Sequence, residues 1–172
     1  MKNIYNDFVE KVSRREHPYV IAEIGINHNG DLSLAERLIN IAKQSGCDAV
    51  KFQKRDINEV YSQEFLSSAR ESPWGQTQGD QKRGLEFGID EYQEIGRICQ
   101  EQEIAWSASA WDSNSVAFLD QFSLPFNKIA SAMISDKSVV NDVAERGIKT
   151  YISTGMSTYE MIDQAVEIFQ KK

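Results

Sequence analysis

Short apolar runs alternate along this chain with amphipathic stretches, and that alternation narrows the fold more than any other feature. Residues 19–24 are compact and β-branched and read as a buried strand, followed by a turn-rich loop at residues 25–30. Asp31 and Ser33 offer helix N-caps, and Ser33 with Glu36 fits a capping box. Leu34, Leu38, Ile41 and Ala42 then recur at helical spacing, with Gly46 as the stop. The unit repeats. Strands are predicted at residues 49–53, 104–109, 126–130 and 149–153. Helices are predicted at 113–120 and 136–146, and from a capping box at Ser157 and Glu160 through Phe169. The last three strands begin about 22 residues apart, the spacing of successive βα units. Strands and helices in alternation imply parallel strands joined by right-handed crossovers. A doubly wound sheet and a barrel both satisfy that pattern. The loop after the first strand reads Gly-Ile-Asn-His-Asn-Gly, which lacks the Gly-x-Gly-x-x-Gly dinucleotide signature.

One connection is long. More than thirty residues separate Gln53 from a helix near Asp90. Residues 57–70 read as helix, and the remainder exceeds a simple connector. Trp74, Leu85 and Phe87 favour an ordered lid over a disordered insertion, because disordered segments are poor in aromatics. The formal charge of -7 argues against a nucleic-acid surface. It leaves room for an anionic ligand, because exposed charges are screened beyond about 8 Å in physiological salt. No apolar run is long enough to span a membrane, and residues 1–16 are polar without a signal-peptide core, so the expected location is cytoplasmic. Cys47 and Cys99 read as free thiols, and His17 and His28 are too few for a histidine metal cluster.

Chemistry gathers at the carboxyl ends of the predicted strands. Glu23 ends the first, and Lys51 and Gln53 share one side of the second. Ser107 and Ser109 share one side of the third, Lys128 lies in the fourth with Ser131 just beyond it, and Ser153 ends the fifth. In barrels and open α/β sheets the ligand site lies at this edge. A lysine–anion contact at about 4 Å is worth about 4 kcal/mol before desolvation, at an effective dielectric of about 20. Two lysines and several alcohols therefore suit a compact ligand bearing phosphate and carboxylate. One such lysine alone would more simply reach solvent, Glu23 alone could bond a neighbouring strand, and His28 alone reads as a turn residue.

These residues also resemble a known family. Ile21-Ala-Glu-Ile-Gly-Ile-Asn-His-Asn-Gly30 resembles the opening motif of the sialic acid synthases, and Ala49-Val-Lys-Phe-Gln-Lys54 their second strand. The segment from Ser72 to Phe87 is similar to their long loop, and Lys128-Ile-Ala-Ser131 and Ile152-Ser-Thr-Gly-Met156 to their fourth and fifth strand ends. The resemblance implies a (β/α)8 TIM-type barrel truncated to about five βα units. Residues 1–172 would be its N-terminal portion, without the later strands or a C-terminal antifreeze-like domain. It implies a transferase that condenses phosphoenolpyruvate with N-acetylmannosamine, its 6-phosphate or a related amino sugar, releasing phosphate and a nonulosonic acid. Lys51, Ser109, Lys128, Ser131 and Ser153 match residues that hold phosphoenolpyruvate, Gln53 matches a sugar contact, and Glu23 an acid beside the reacting carbons. A divalent metal, Mn²⁺ or Mg²⁺, is implied for the complete enzyme, with ligands outside this chain, and a homodimer is the implied assembly. Met133 stands where many members carry an acid, and Ser109-Ala110 replaces the commoner Thr-Pro pair. The 172-residue chain alone is expected to be inactive. The alternative is a non-catalytic partial barrel that binds an anion or packs against a partner.

Overall fold

A computed structural model describes residues 18–172. The leader expectation for residues 1–16, and His17, lie outside the described residues. The strands are β1 (Ile21–Gly25), β2 (Ala49–Lys54), β3 (Ala69–Ser72), β4 (Gly75–Thr77), β5 (Ala105–Ala110), β6 (Asn127–Ile129) and β7 (Thr150–Ile152). The helices are α1 (Leu32–Gln44), α2 (Ile57–Val60), α3 (Gln63–Ser67), α4 (Gln78–Gly84), α5 (Ile89–Glu101), α6 (Ser113–Leu119), α7 (Lys137–Glu145) and α8 (Tyr159–Gln170). A single 3₁₀ turn covers Ser131–Met133.

Parallel pairing links β1 to β2, β2 to β5, and β6 to β7. β5 lies beside β6, and the Ser107 hydroxyl donates to the Phe126 carbonyl at 2.7 Å across that junction. The parallel strands thus follow one another in chain order, as the α/β reading predicts. Among the described residues they form an open arc rather than a closed barrel.

The two faces of this arc differ, because successive side chains point to opposite sides. Val50, Phe52, Ala108 and Ala110 face the helices and join the main core with Ala35 and Ile39 of α1, Tyr92 and Ile95 of α5, Val116 and Leu119 of α6, and Val139 and Val143 of α7. The opposite face begins with a small apolar plug of Ala49, Ala105 and Phe126, backed by Tyr19, Ile21 and Tyr151. Two residues further along those strands the same face turns polar. Glu23, Lys51 and Ser107 are register partners there, followed by Gln53 beside Ser109. The plug closes one end of that face, so the polar groups stand over a dry floor.

Several local expectations are corrected. The cap of α1 is Asp31, whose carboxylate accepts from the Ser33 and Leu34 amides, so the Ser33–Glu36 box is not formed. Its buried stripe is Ala35, Ile39 and Ala42, while Ile41 is 55% exposed. The cap of α8 is Thr158 rather than Ser157. Residues 57–70 form α2, α3 and the start of β3, not one helix. The rest of the long connection is the β3–β4 hairpin and α4, an ordered segment as its aromatics suggest.

Two glycines seat this segment. Gly30 has φ +68°, and a Cβ there would lie 2.0 Å from the Gly84 carbonyl oxygen. A Cβ on Gly84 would lie 2.1 Å from Trp74 Cγ. The β1–α1 loop, α4 and the hairpin therefore meet at a point where neither residue admits a side chain.

Candidate functional site

Glu23 and Lys51 sit in register on adjacent strands, and their side chains pair at 2.8 Å. The Lys51 side chain is 8% exposed and that of Glu23 60%, so the cation is held in the arc while the acid reaches outward. The Lys51 ammonium also donates to its neighbour's carbonyl, Phe52 O, at 3.1 Å. Lys128 repeats the geometry on β6, donating to Ile129 O at 2.9 Å and to the Ser153 hydroxyl at 2.5 Å. Burial pushes the Lys128 ammonium pKa down; the Glu23 charge partly restores it, and the Lys51 charge lowers it further. Lys128 thus senses both members of the Glu23–Lys51 pair, which joins the two lysines into one electrostatic cluster.

The remaining sequence candidates fall around it. Ser109 is 2% exposed, and its hydroxyl has no partner, a costly state for a buried donor. Ser131 opens the 3₁₀ turn, and its Oγ lies 3.6 Å from where a Gly155 Cβ would stand, so it abuts the segment after β7. Gln53 shares the Lys51 face, and its main-chain carbonyl accepts from the Tyr92 hydroxyl at 2.9 Å. Tyr92 is buried among Phe52, Phe87, Trp106, Phe118 and Phe122, and that burial pushes its phenol pKa up, keeping it a neutral donor. Met133 packs against the main core. Ser107, read as polar decoration of the same edge, instead bonds the neighbouring strand.

A second polar cluster was not anticipated. Arg55 is 4% exposed and donates through Nε to Glu86 Oε1 at 2.5 Å and through Nη1 to Tyr61 Oη at 3.0 Å. Lys54 donates to Phe87 O at 2.7 Å, and Asp112 accepts from the Asp56 amide at 2.7 Å. Burial raises the Glu86 carboxyl pKa, offset in part by Arg55, and lowers that of the Lys54 ammonium, offset in part by Glu86. The bonds from Lys54 to Phe87 and from Arg55 to Glu86 fasten the returning end of the long segment to the end of β2 and the residue after it. A sequence cue existed: Glu86 is a single acid between Leu85 and Phe87.

His28 is 2% exposed and stacks on Phe87 with ring centroids 3.9 Å apart. Its Nδ1 accepts from the Gly30 amide at 3.2 Å. Burial, helped by Arg55, pushes its pKa down to about 4, so it is neutral at physiological pH. It is a turn residue in structural service. Among the described residues no group of three or more His, Cys, Asp or Glu gathers to hold a metal ion. No described helix is long and apolar enough to cross a membrane.

Fold and site together define an α/β protein that gathers cationic and hydroxyl groups at the carboxyl edge of parallel strands. The NeuB family model matches residues 38–172, and the chain belongs to that family. It is 37% identical over 156 residues to the N-acetylneuraminate-9-phosphate synthase of Homo sapiens, covering 89% of this chain and 44% of that protein. It is 31% identical over 159 residues to the N,N'-diacetyllegionaminic acid synthase of Campylobacter jejuni, covering 88% of this chain and 46% of that one. The N-acetylneuraminic acid synthetase of Leptospira borgpetersenii, solved in complex with citrate, superposes with a TM-score of 0.77 at 28% identity, over 89% of this chain and 50% of that chain. The chain therefore spans half or less of the length of these relatives.

Proposed function

We propose that this chain carries the phosphoenolpyruvate-binding part of a nonulosonic acid synthase, its parallel strands forming the first portion of a (β/α)8 barrel. One observation carries the reading: buried Lys51 pairs with Glu23, and half-buried Lys128, from a different strand pair, feels the charge of both, in a chain of the NeuB family. An ammonium has three N–H donors. Lys51 directs donors to Phe52 O and Glu23, and Lys128 to Ile129 O and Ser153, which leaves each a donor for a ligand. Phosphoenolpyruvate presents a carboxylate and a phosphate, and charge-assisted bonds to both are the strong kind. The hydroxyls of Ser109, Ser131 and Ser153 serve its remaining oxygens, and Gln53 meets the amino sugar.

In the proposed reaction, C3 of the enolpyruvate forms a bond to the aldehyde carbon of the open-chain sugar. Positive charge develops at C2, water adds there, and phosphate departs. Lys51 and Lys128 hold the phosphoenolpyruvate in place, and Glu23 orients the water or the sugar hydroxyl. Bound in the complete enzyme, a divalent metal would polarise the aldehyde as a Lewis acid. The described residues do not assemble a site for it, so no step above is assigned to it. The relatives' names cover both a phosphorylated and a non-phosphorylated product, so the proposal stops at the class of amino sugar.

Phosphate release from phosphoenolpyruvate and N-acetylmannosamine, or its 6-phosphate, tests the reading. The prediction is turnover by a chain extended through the remaining strands and none by residues 1–172 alone. Nonulosonate formed by the 172-residue chain would contradict the need for a completed barrel. No turnover by the extended chain with either sugar would contradict the synthase assignment.

A further inference from the structure

The Glu23 carboxylate lies where it neutralises a cation that the proposed substrate also needs. It pairs with Lys51 at 2.8 Å and raises the proton affinity of Lys128, so its negative charge is shared between the two lysines. The lysines are anchored independently of it, by the Phe52 and Ile129 carbonyls and by Ser153. Glu23 itself is 60% exposed in its side chain, so swinging away from Lys51 breaks no packed contact of a buried acid. β1 also departs from regular pairing between Glu23 and Gly25, where the register with β2 shifts. An arriving phosphate or carboxylate would meet a like charge within ion-pair distance of the ammonium it seeks. Like charges so close oppose binding unless one moves or takes up a proton.

We propose that Glu23 is the resident counter-ion of Lys51, displaced from it when an anionic ligand binds. In this role the acid stabilises the paired lysines in the absence of substrate and weakens the ground-state grip on phosphoenolpyruvate. Once displaced, its carboxylate faces the reacting carbons, free to orient water. One residue thereby acts both as a brake on anion binding and as a positioning group. This inference rests on the anion-site reading above and goes beyond it by giving the acid a role before any sugar arrives.

Calorimetric titration of phosphoenolpyruvate into the wild-type chain, Glu23→Gln and Glu23→Asp tests it. Glu23→Gln keeps the size of the side chain and removes the charge, so it is expected to bind about two- to fivefold more tightly, the scale of a half-exposed ion pair. Glu23→Asp keeps the charge and is expected not to bind more tightly than wild type. The gain in Glu23→Gln shrinks as salt is added, because screening weakens the repulsion it removes. Equal or weaker binding by Glu23→Gln overturns the proposal and makes the acid a simple support for Lys51. Tightening by Glu23→Asp to the same degree also overturns it, since charge would not be the cause. Absence of heat with all three chains would instead sink the anion-site reading itself.

Discussion

At the scale of single residues, His28 makes a prediction about pH. Its folded pKa is depressed to about 4 from the ordinary value of 6.5. A histidine held neutral in the folded state contributes stability that is full above about pH 6.5 and is lost as pH falls toward about 4, where the folded form also takes the proton. Glu86 acts with the opposite sign, because its raised carboxyl pKa relieves a burial penalty as pH falls. Urea midpoints measured between pH 7 and 4 should therefore fall for wild type and fall less for His28→Gln. Equal slopes for the two chains would show that the buried imidazole does not resist protonation. The shared face of the candidate residues was readable at this scale because strands place alternate side chains on one face: Lys51 with Gln53 and Ser107 with Ser109 follow from counting. What counting missed is which hydroxyl is free. Ser107 is consumed by the Phe126 carbonyl, whereas Ser109 is not, and that difference arises from the position of β6, which is distant in sequence.

At the scale of elements, the long segment after β2 depends on the contact of Gly30, Gly84 and Trp74. A methyl group at residue 84 would meet the Trp74 indole at 2.1 Å, and overpacking of this kind costs about 1–3 kcal/mol. Gly84→Ala should raise amide hydrogen exchange across residues 69–84 while β2 and β5 stay protected. Unchanged exchange in that stretch would mean that the hairpin is not seated by this contact. The main strands and helices were legible because each carries a clear period, two or 3.6, and apolar residues enough to bury. The hairpin was not. Ala69–Ser72 and Gly75–Thr77 are mostly polar and short, so they carry no periodicity, and Gly75 and Asp80 shape them through local bonds. The caps were missed for a related reason. Asp31 and Thr158 each stand within two residues of another good capping residue, and only the path of the incoming chain decides between them.

At the scale of the whole molecule, the arc of parallel strands has β1 and β7 at its ends, each paired on one side among the described residues. Met156 and Tyr159, just past β7, are 97% and 88% exposed. In the proposed barrel this is the side on which further strands add, and it lies next to Ser153 and Ser131 rather than next to the Lys51 row. The proposed anion site would draw its cations from both halves of the arc, β2 and β6, so its formation would depend on the β5–β6 junction as well as on either lysine. The most direct measurement is calorimetric titration of phosphoenolpyruvate into the wild-type chain, Lys51→Ala, Lys128→Ala and the double variant. The account predicts saturable binding by wild type, a loss of about tenfold or more in each single variant, and no measurable binding in the double variant. Wild-type affinity retained in both single variants would contradict it, because the paired ammonium groups would then not be what holds the ligand.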